Sequence, residues 1–329
     1  MKAQKRRLKL LLILLILLVS GLLFSLLEGS VETSIKDFWD FLFNNDKTHA
    51  IIFELRLSRA LLAFLVGASL SLSGAILQGY FQNPMAGPFV VGVSSGASFG
   101  AVLAIFLGLN IYILGFPLQS IFAFASGFAI VSLIYLLSQR KGIFKIETLL
   151  LTGIAAGALA SALTSFFIFL KSESYEQAVF WLLGSFALSD WTQISAVFPY
   201  FILCFIVAQF LAKDMNLLAL GDDTAQSLGC AVNRVRKIFL VISTLLAASS
   251  VSVSGIIGFV GLIVPHWIRI LIGPDHRCLF FFSSLAGGTL LVYSDLLART
   301  LLFPTELPIG IITAAVGAPF FIYLLNQRR

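Results

Sequence analysis

The chain has 22 Lys and Arg, 16 Asp and Glu, three His and three Cys among 329 residues, and their spacing limits what they can do. Gly92-Val93-Ser94-Ser95-Gly96 has the GxSxG spacing of a serine hydrolase elbow, which works only on a sharp strand-to-helix turn that lifts the hydroxyl towards a histidine. Here it opens an apolar stretch after NPMAGP, no His or Asp lies in a plausible partner span, and small residues suited to helix packing account for it. No GxxxxGK[ST] occurs, so the chain does not itself cradle ATP phosphates in the usual way. If ATP drives work done here, another chain holds it. Asp295 and Arg299 are four apart and share a helix face, so mutual pairing explains both. His266 lies between Pro265 and Trp267, with Arg269 following, which is an interface pattern more than a proton relay. Cys204, Cys230 and Cys278 are too far apart for a metal motif, and no disulfide framework or metal site is expected.

Two polar constellations remain. Arg56 and Arg59 in ELRLSRALLAFLVGA are three apart and fall on one helix face. They either pair locally with nearby acids or stand out as a docking point for an acidic partner. Residues Lys213 to Lys237, KDMNLLALGDDTAQSLGCAVNRVRK, form the longest polar interruption of the second half. Gly221 and Gly229 bracket a short helical pattern opened by Asp222, Asp223 and Thr224, while Leu217, Leu218, Leu220, Ala225 and Leu228 give it an apolar component. The pattern predicts a pair of short helices at a membrane surface, packed on their own bundle or presenting an apolar face to a partner.

The elements that must position these residues are membrane helices. Of 329 residues, 59% are hydrophobic and 12% charged, with a mean hydropathy of +0.99. A soluble domain cannot hide that much apolar surface, so the chain is polytopic and all-α. Ten spans are expected, at about 8–28, 57–80, 90–108, 116–138, 147–170, 192–212, 236–254, 256–272, 280–300 and 308–326. The first is a retained helix rather than a cleaved signal, because its apolar run is long and no small-residue cleavage pattern follows. With the N-terminus inside, the inner segments hold 16 of the 22 Lys and Arg, and the outer ones 11 of the 16 acids. The positive-inside rule then places both termini and residues 213–237 in the cytoplasm. On the outer face, residues 29–56 and 171–191 mix aromatics with charges and are expected to lie along the surface.

Small residues fill the spans. Gly92, Gly96 and Gly100 make two GxxxG steps and Gly153 and Gly157 another, permitting close helix approach. The centres of the second to seventh spans hold almost no ionisable residues, so an ion-coupled secondary transporter lacks the expected relay.

These stretches taken together resemble the permease subunits of type II ABC importers for iron-siderophore complexes, haem and cobalamin. The resemblance is carried by RLSRALLAFLVGASLSLSGAILQGYFQNPMAGPFVVGVSSGASFG (56–100), LLLTGIAAGALASAL (149–163), FWLLGSF (180–186), MNLLALGDDTAQSLG (215–229), GIIGFVGLIVPHWIRILIGPDHR (255–277) and SDLLARTLLFPTELPIGIITAAVGAPFFIYLL (294–325). Ser58 stands where the family commonly has Pro. The resemblance implies one permease domain over 1–329 with ten spans in a bacterial inner membrane. It implies as partners a second copy of the chain, two cytoplasmic ATPase subunits carrying ATP and Mg, an external substrate-binding protein and membrane lipid, with no nucleic acid. In this view residues 213–237 are the ATPase coupling loop, through Leu217, Leu218, Leu220, Gly221, Asp222, Asp223, Leu228 and Gly229. Arg56, Arg59 and Arg299 would contact acids of the binding protein, and the fifth span would line the pathway through Ala156, Ala160 and Leu163. The chain would bind no cofactor. The cargo would be a metal chelate, with an oxyanion such as molybdate as the alternative.

Overall fold

A computed structural model describes residues 2–28, 50–109, 111–140, 143–144 and 146–326. The surface segment expected at 29–56 falls largely outside them.

The architecture is built around one helix. After α1 (Lys2–Leu27), a π-helical stretch (Ala50–Leu57) runs into α2 (Ser58–Tyr80), and the most apolar window of this stretch and α2 is 89% buried, against 17% for α1. The cause is composition: ALLAFLVGASLSLSGAILQ puts small side chains on every face of α2, so neighbours approach it all round. There follow α3 (Val93–Phe106), a hairpin of β1 (Tyr112–Ile113) and β2 (Phe116–Pro117), α4 (Leu118–Ser138), a second hairpin of β3 (Gln139–Arg140) and β4 (Ile143–Phe144), and α5 (Ile146–Leu170). The rest is helical: α6 (Tyr175–Leu183), α7 (Trp191–Phe210), α8 (Ala212–Leu218), α9 (Asp222–Ser227), α10 (Val232–Ser254), α11 (Val260–Ile272), α12 (His276–Thr300) and α13 (Ile309–Asn326).

α12 packs along α2 through glycines on both sides. A Cβ on Gly67 would fall on the carbonyl of Gly287, and one on Gly287 would fall on Ser71. α11 is held the same way, since a Cβ on Gly74 would land on the carbonyl oxygen of Gly261. Lipid supplies little hydrophobic drive between helices, so such close backbone approach and short polar links hold the bundle together. Ser73 donates to the Ser243 carbonyl at 2.8 Å, and Gln78 Nε2 to that of Leu262 at 2.9 Å.

Two apolar cores result. One joins the C-terminal half of α2 to α3, α4, α5, α7, α8, α9, α10 and the start of α12, around Tyr80, Met215, Ala225, Phe239 and Phe280. The other joins the N-terminal half of α2 to α1, α11, α12 and α13, around Leu62, Val66, Val260, Leu279 and Ile309.

Ten apolar helices lie where ten spans were expected, but seven, not ten, are long and apolar enough to cross a membrane among the described residues. For two of the three shorter helices the cause lies in the backbone. α3 begins only at Val93, after a run of turns that ends with Gly92 at φ +88°, and its 14 residues extend about 21 Å against a hydrocarbon core of roughly 30 Å. The span expected over 256–272 is broken at its start, where Gly255 (φ +69°) and Phe259 (φ +67°) stop the helix, leaving 13 residues in α11. The opened backbone is paired elsewhere: Ser185 N–H donates to the Ser254 carbonyl at 2.9 Å and Ile309 N–H to that of Gly184 at 3.1 Å. Irregular backbone at membrane depth persists only when its polar groups are satisfied in this way.

Candidate functional site

The segment 213–237 forms the expected pair of short helices. α8 ends at Leu218, the chain turns through Gly221 (φ +99°), α9 follows, and Gly229 (φ +87°) turns it into α10. Space around both glycines is open, so it is the left-handed backbone that calls for glycine there. The leucines divide sharply. Leu218 is 1% exposed and belongs to the core, whereas Leu220 and Leu228 are 60% and 59% exposed. Leu218 is therefore corrected from a partner contact to an anchor of its own bundle, because α8 turns it inward beside Met215, and Leu217 is half-buried. Asp222 and Asp223 are exposed at the start of α9, and Ala225 is its buried residue.

Polar contacts fix this segment to the bundle. Gln82 Nε2 donates to the Leu218 carbonyl at 2.6 Å. Asn216 Nδ2 donates to Asp275 at 2.8 Å, and Asn216 Oδ1 accepts from the His276 N–H at 3.0 Å. The side-chain hydrogen bond from Arg277 holds the Asp275 carboxyl down at about 2. Asp222 receives Arg236 at 2.6 Å. Burial, with Asp214 beside it, pushes the Cys230 thiol up.

At the other end of α2, about 30 Å away along a helix of this length, the three arginines converge. Arg59 makes a two-nitrogen contact with Asp295 at 2.9 to 3.1 Å and also reaches Glu306 at 2.9 Å. Its side chain is 12% exposed and that of Asp295 1%. Arg299 is buried, lies 3.6 Å from Asp295 and donates to the Ser25 hydroxyl at 2.6 Å. Arg56 is buried and donates to the carbonyls of Leu26 and Leu27 at 2.7 and 2.9 Å. The expected Asp295–Arg299 pair is present, yet the closer partner of Asp295 is Arg59, 236 residues away in the chain. Nothing in helical spacing signals that contact.

On α5, Gly153, Gly157, Ala160 and Thr164 form a buried face, one turn apart, with Gly153 against Val90 and Gly157 against Ser95. Ala160 is thus corrected from a pathway position to a packing position, Ala156 is half-buried, and Leu163 is exposed. The opposite face exposes Ala155, Ala158, Ser161, Ala162 and Ser165. Their exposure is not legible from spacing, because small residues occur on both sides of the helix. Among the described residues, no group of three or more His, Cys, Asp or Glu is placed to hold a metal ion.

The FecCD transport family matches residues 14–327. The chain is 42% identical over 283 residues to the cobalamin import system permease protein BtuC of Halobacterium salinarum, covering 86% of this chain and 75% of that one. It is 38% identical over 331 residues to the Fe(3+)-citrate import system permease protein YfmD of Bacillus subtilis, covering 100% and 97%. A solved structure assigned to the metal-chelate type of ABC transporter, in an inward-facing conformation, superposes with a TM-score of 0.86 at 37% identity over 97% of this chain and 99% of that one. With a membrane bundle, no phosphate cradle and a polar two-helix segment at one end, the chain belongs to the FecCD transport family and is the multi-pass permease subunit of an ABC importer.

Proposed function

We propose that this permease carries a metal chelate inward as a homodimer, with two ATPase subunits on the 213–237 side and a substrate-binding protein on the arginine side. Ten helices then cross the membrane or enter it, with both termini and residues 213–237 in the cytoplasm. The observation that carries the reading is the pair of leucines on the α8–α9 segment, Leu220 and Leu228, more than half exposed while Met215, Leu218 and Ala225 of the same segment are turned inward. Burying such side chains in an ATPase cleft is worth roughly 25 cal/mol per Å² of apolar area. Gly221 and Gly229 shape the segment, and Asp222, Asp223 and Leu217 flank the contact. ATP binding on the partner subunits, with Mg, would draw the two coupling segments together and switch the opening of the dimer.

Relatives are named for cobalamin and for ferric citrate, two chelates with little chemistry in common. That fits a permease whose pathway recognises bulk rather than ligand atoms, with the choice of cargo made by the binding protein. The exposed small residues of α5, together with Leu163, are the pathway face in this reading. For the docking role, the internal pairing of Arg59 means that a partner carboxylate must compete with Glu306, whose side chain is partly exposed.

The test is copurification. Leu220→Asp with Leu228→Asp should release the ATPase while the permease stays dimeric, and unchanged stoichiometry would remove the coupling assignment. For docking, Arg59→Glu should weaken the binding protein's association at low salt and less so at 1 M, where the Debye length is about 3 Å.

A further inference from the structure

α9 is a six-residue helix, too short to hold itself, and two contacts tie it to the bundle. Ala225 is buried in the core, and Asp222 takes the Arg236 guanidinium of α10 at 2.6 Å. The two ends of that pair differ in setting. Asp222 is half-exposed on the surface segment, while Arg236 is buried one turn inside α10. The guanidinium carbon lies 5.5 Å from the centroid of the Tyr80 ring, within cation–π range, and Tyr80 is the last residue of α2. One cation therefore touches three elements: the surface helix, the helix that follows it in the chain, and the helix at the centre of the fold. The glycine turns on either side of α9 leave it few other restraints.

We propose that Asp222, Arg236 and Tyr80 form the latch through which displacement of α9 is passed to α10 and α2, with all three acting as positioning residues. The proposal rests on the ATPase seating on the 213–237 segment. A load applied at Leu220 and Leu228 could rotate α9 freely about its two glycine turns. The charged contact instead makes α10 follow, and the stacked ring makes α2 follow. With Arg236 buried and Asp222 half-exposed, the contact is screened less than a fully exposed pair, though more than a buried one.

The experiment uses the complex of permease and ATPase with a spin label at Lys237→Cys, an exposed position on α10, in a Cys278→Ser background. The change in label separation between the two copies is read without nucleotide and with vanadate-trapped ATP. Arg236→Gln, which leaves the half-exposed Asp222 hydrated, should keep the ATPase bound and ATP hydrolysis within about twofold. The fraction of complexes that make the nucleotide-dependent shift should fall at least about fivefold, the lower end of ordinary allosteric couplings. Tyr80→Phe should preserve the shift, and Tyr80→Leu should reduce it as Arg236→Gln does. A full shift in Arg236→Gln with the ATPase bound overturns the latch alone. Loss of the ATPase in that variant also overturns it, in favour of a direct docking role. If Leu220→Asp with Leu228→Asp leaves the ATPase in place, the seating reading itself falls.

Discussion

At the scale of single residues, neighbours of the same type have opposite roles. Leu218 and Leu220 are two positions apart, one in the core and one in water. Leu218→Ala should cost roughly 2–5 kcal/mol of unfolding free energy in detergent, while Leu220→Ala should change it by less than about 0.5 kcal/mol. The same contrast separates the acids around Arg59. Asp295→Asn leaves two buried guanidinium groups short of charge compensation and should destabilise by on the order of 3 kcal/mol. Glu306→Gln, at a partly exposed end of the cluster, should cost about 1 kcal/mol or less. Equal losses in a denaturant titration of the two variants would mean that the cluster is not organised around Asp295.

At the scale of elements, the bundle depends on how closely α2 is approached. Gly74→Ala should prevent accumulation of folded permease, because the added carbon falls on the Gly261 carbonyl, and backbone there has nowhere to move. Gly258→Ala meets nothing within 4 Å and should fold normally. Fluorescence size-exclusion profiles of the two variants decide the matter. α5 makes the complementary prediction, since small residues lie on both its packed and its open side, the open side also exposing Leu151, Ile154, Leu159 and Phe166. Single cysteines at Ala158, Ser161 and Ala162 should react with a polar thiol reagent in at least one nucleotide state, and a cysteine at Ala160 in none. Labelling of Ala160→Cys with protection of the other three would reverse the assignment of faces.

At the scale of the molecule, the two polar constellations occupy opposite ends of α2, so a single test of sidedness fixes both. In right-side-out vesicles, a membrane-impermeant thiol reagent should label Leu114→Cys, at the tip of the exposed β1–β2 hairpin, and spare a cysteine at Lys237. The reverse pattern would invert the proposed topology and with it both partner assignments.

Much of this protein was set by its sequence alone. The excess of apolar residues made it a membrane bundle, and the glycine-bracketed polar segment was legible as two short helices because turn residues and helix starts are local chemistry. Ten apolar helices fall near their expected places for the same reason. The late starts of α3 at Val93 and of α11 at Val260 were not legible, because backbone at membrane depth stays irregular only where distant parts of the chain pair it, as Ser185 pairs the Ser254 carbonyl. Nor was the choice between Leu218 and Leu220, or between the two small-residue faces of α5, since hydropathy ranks side chains without saying which way each one turns. Arg59 meeting Asp295, and Arg236 bridging Asp222 and Tyr80, are contacts between distant parts of the chain. Those were decided by tertiary packing, which brings together residues whose separation in sequence carries no trace of their proximity.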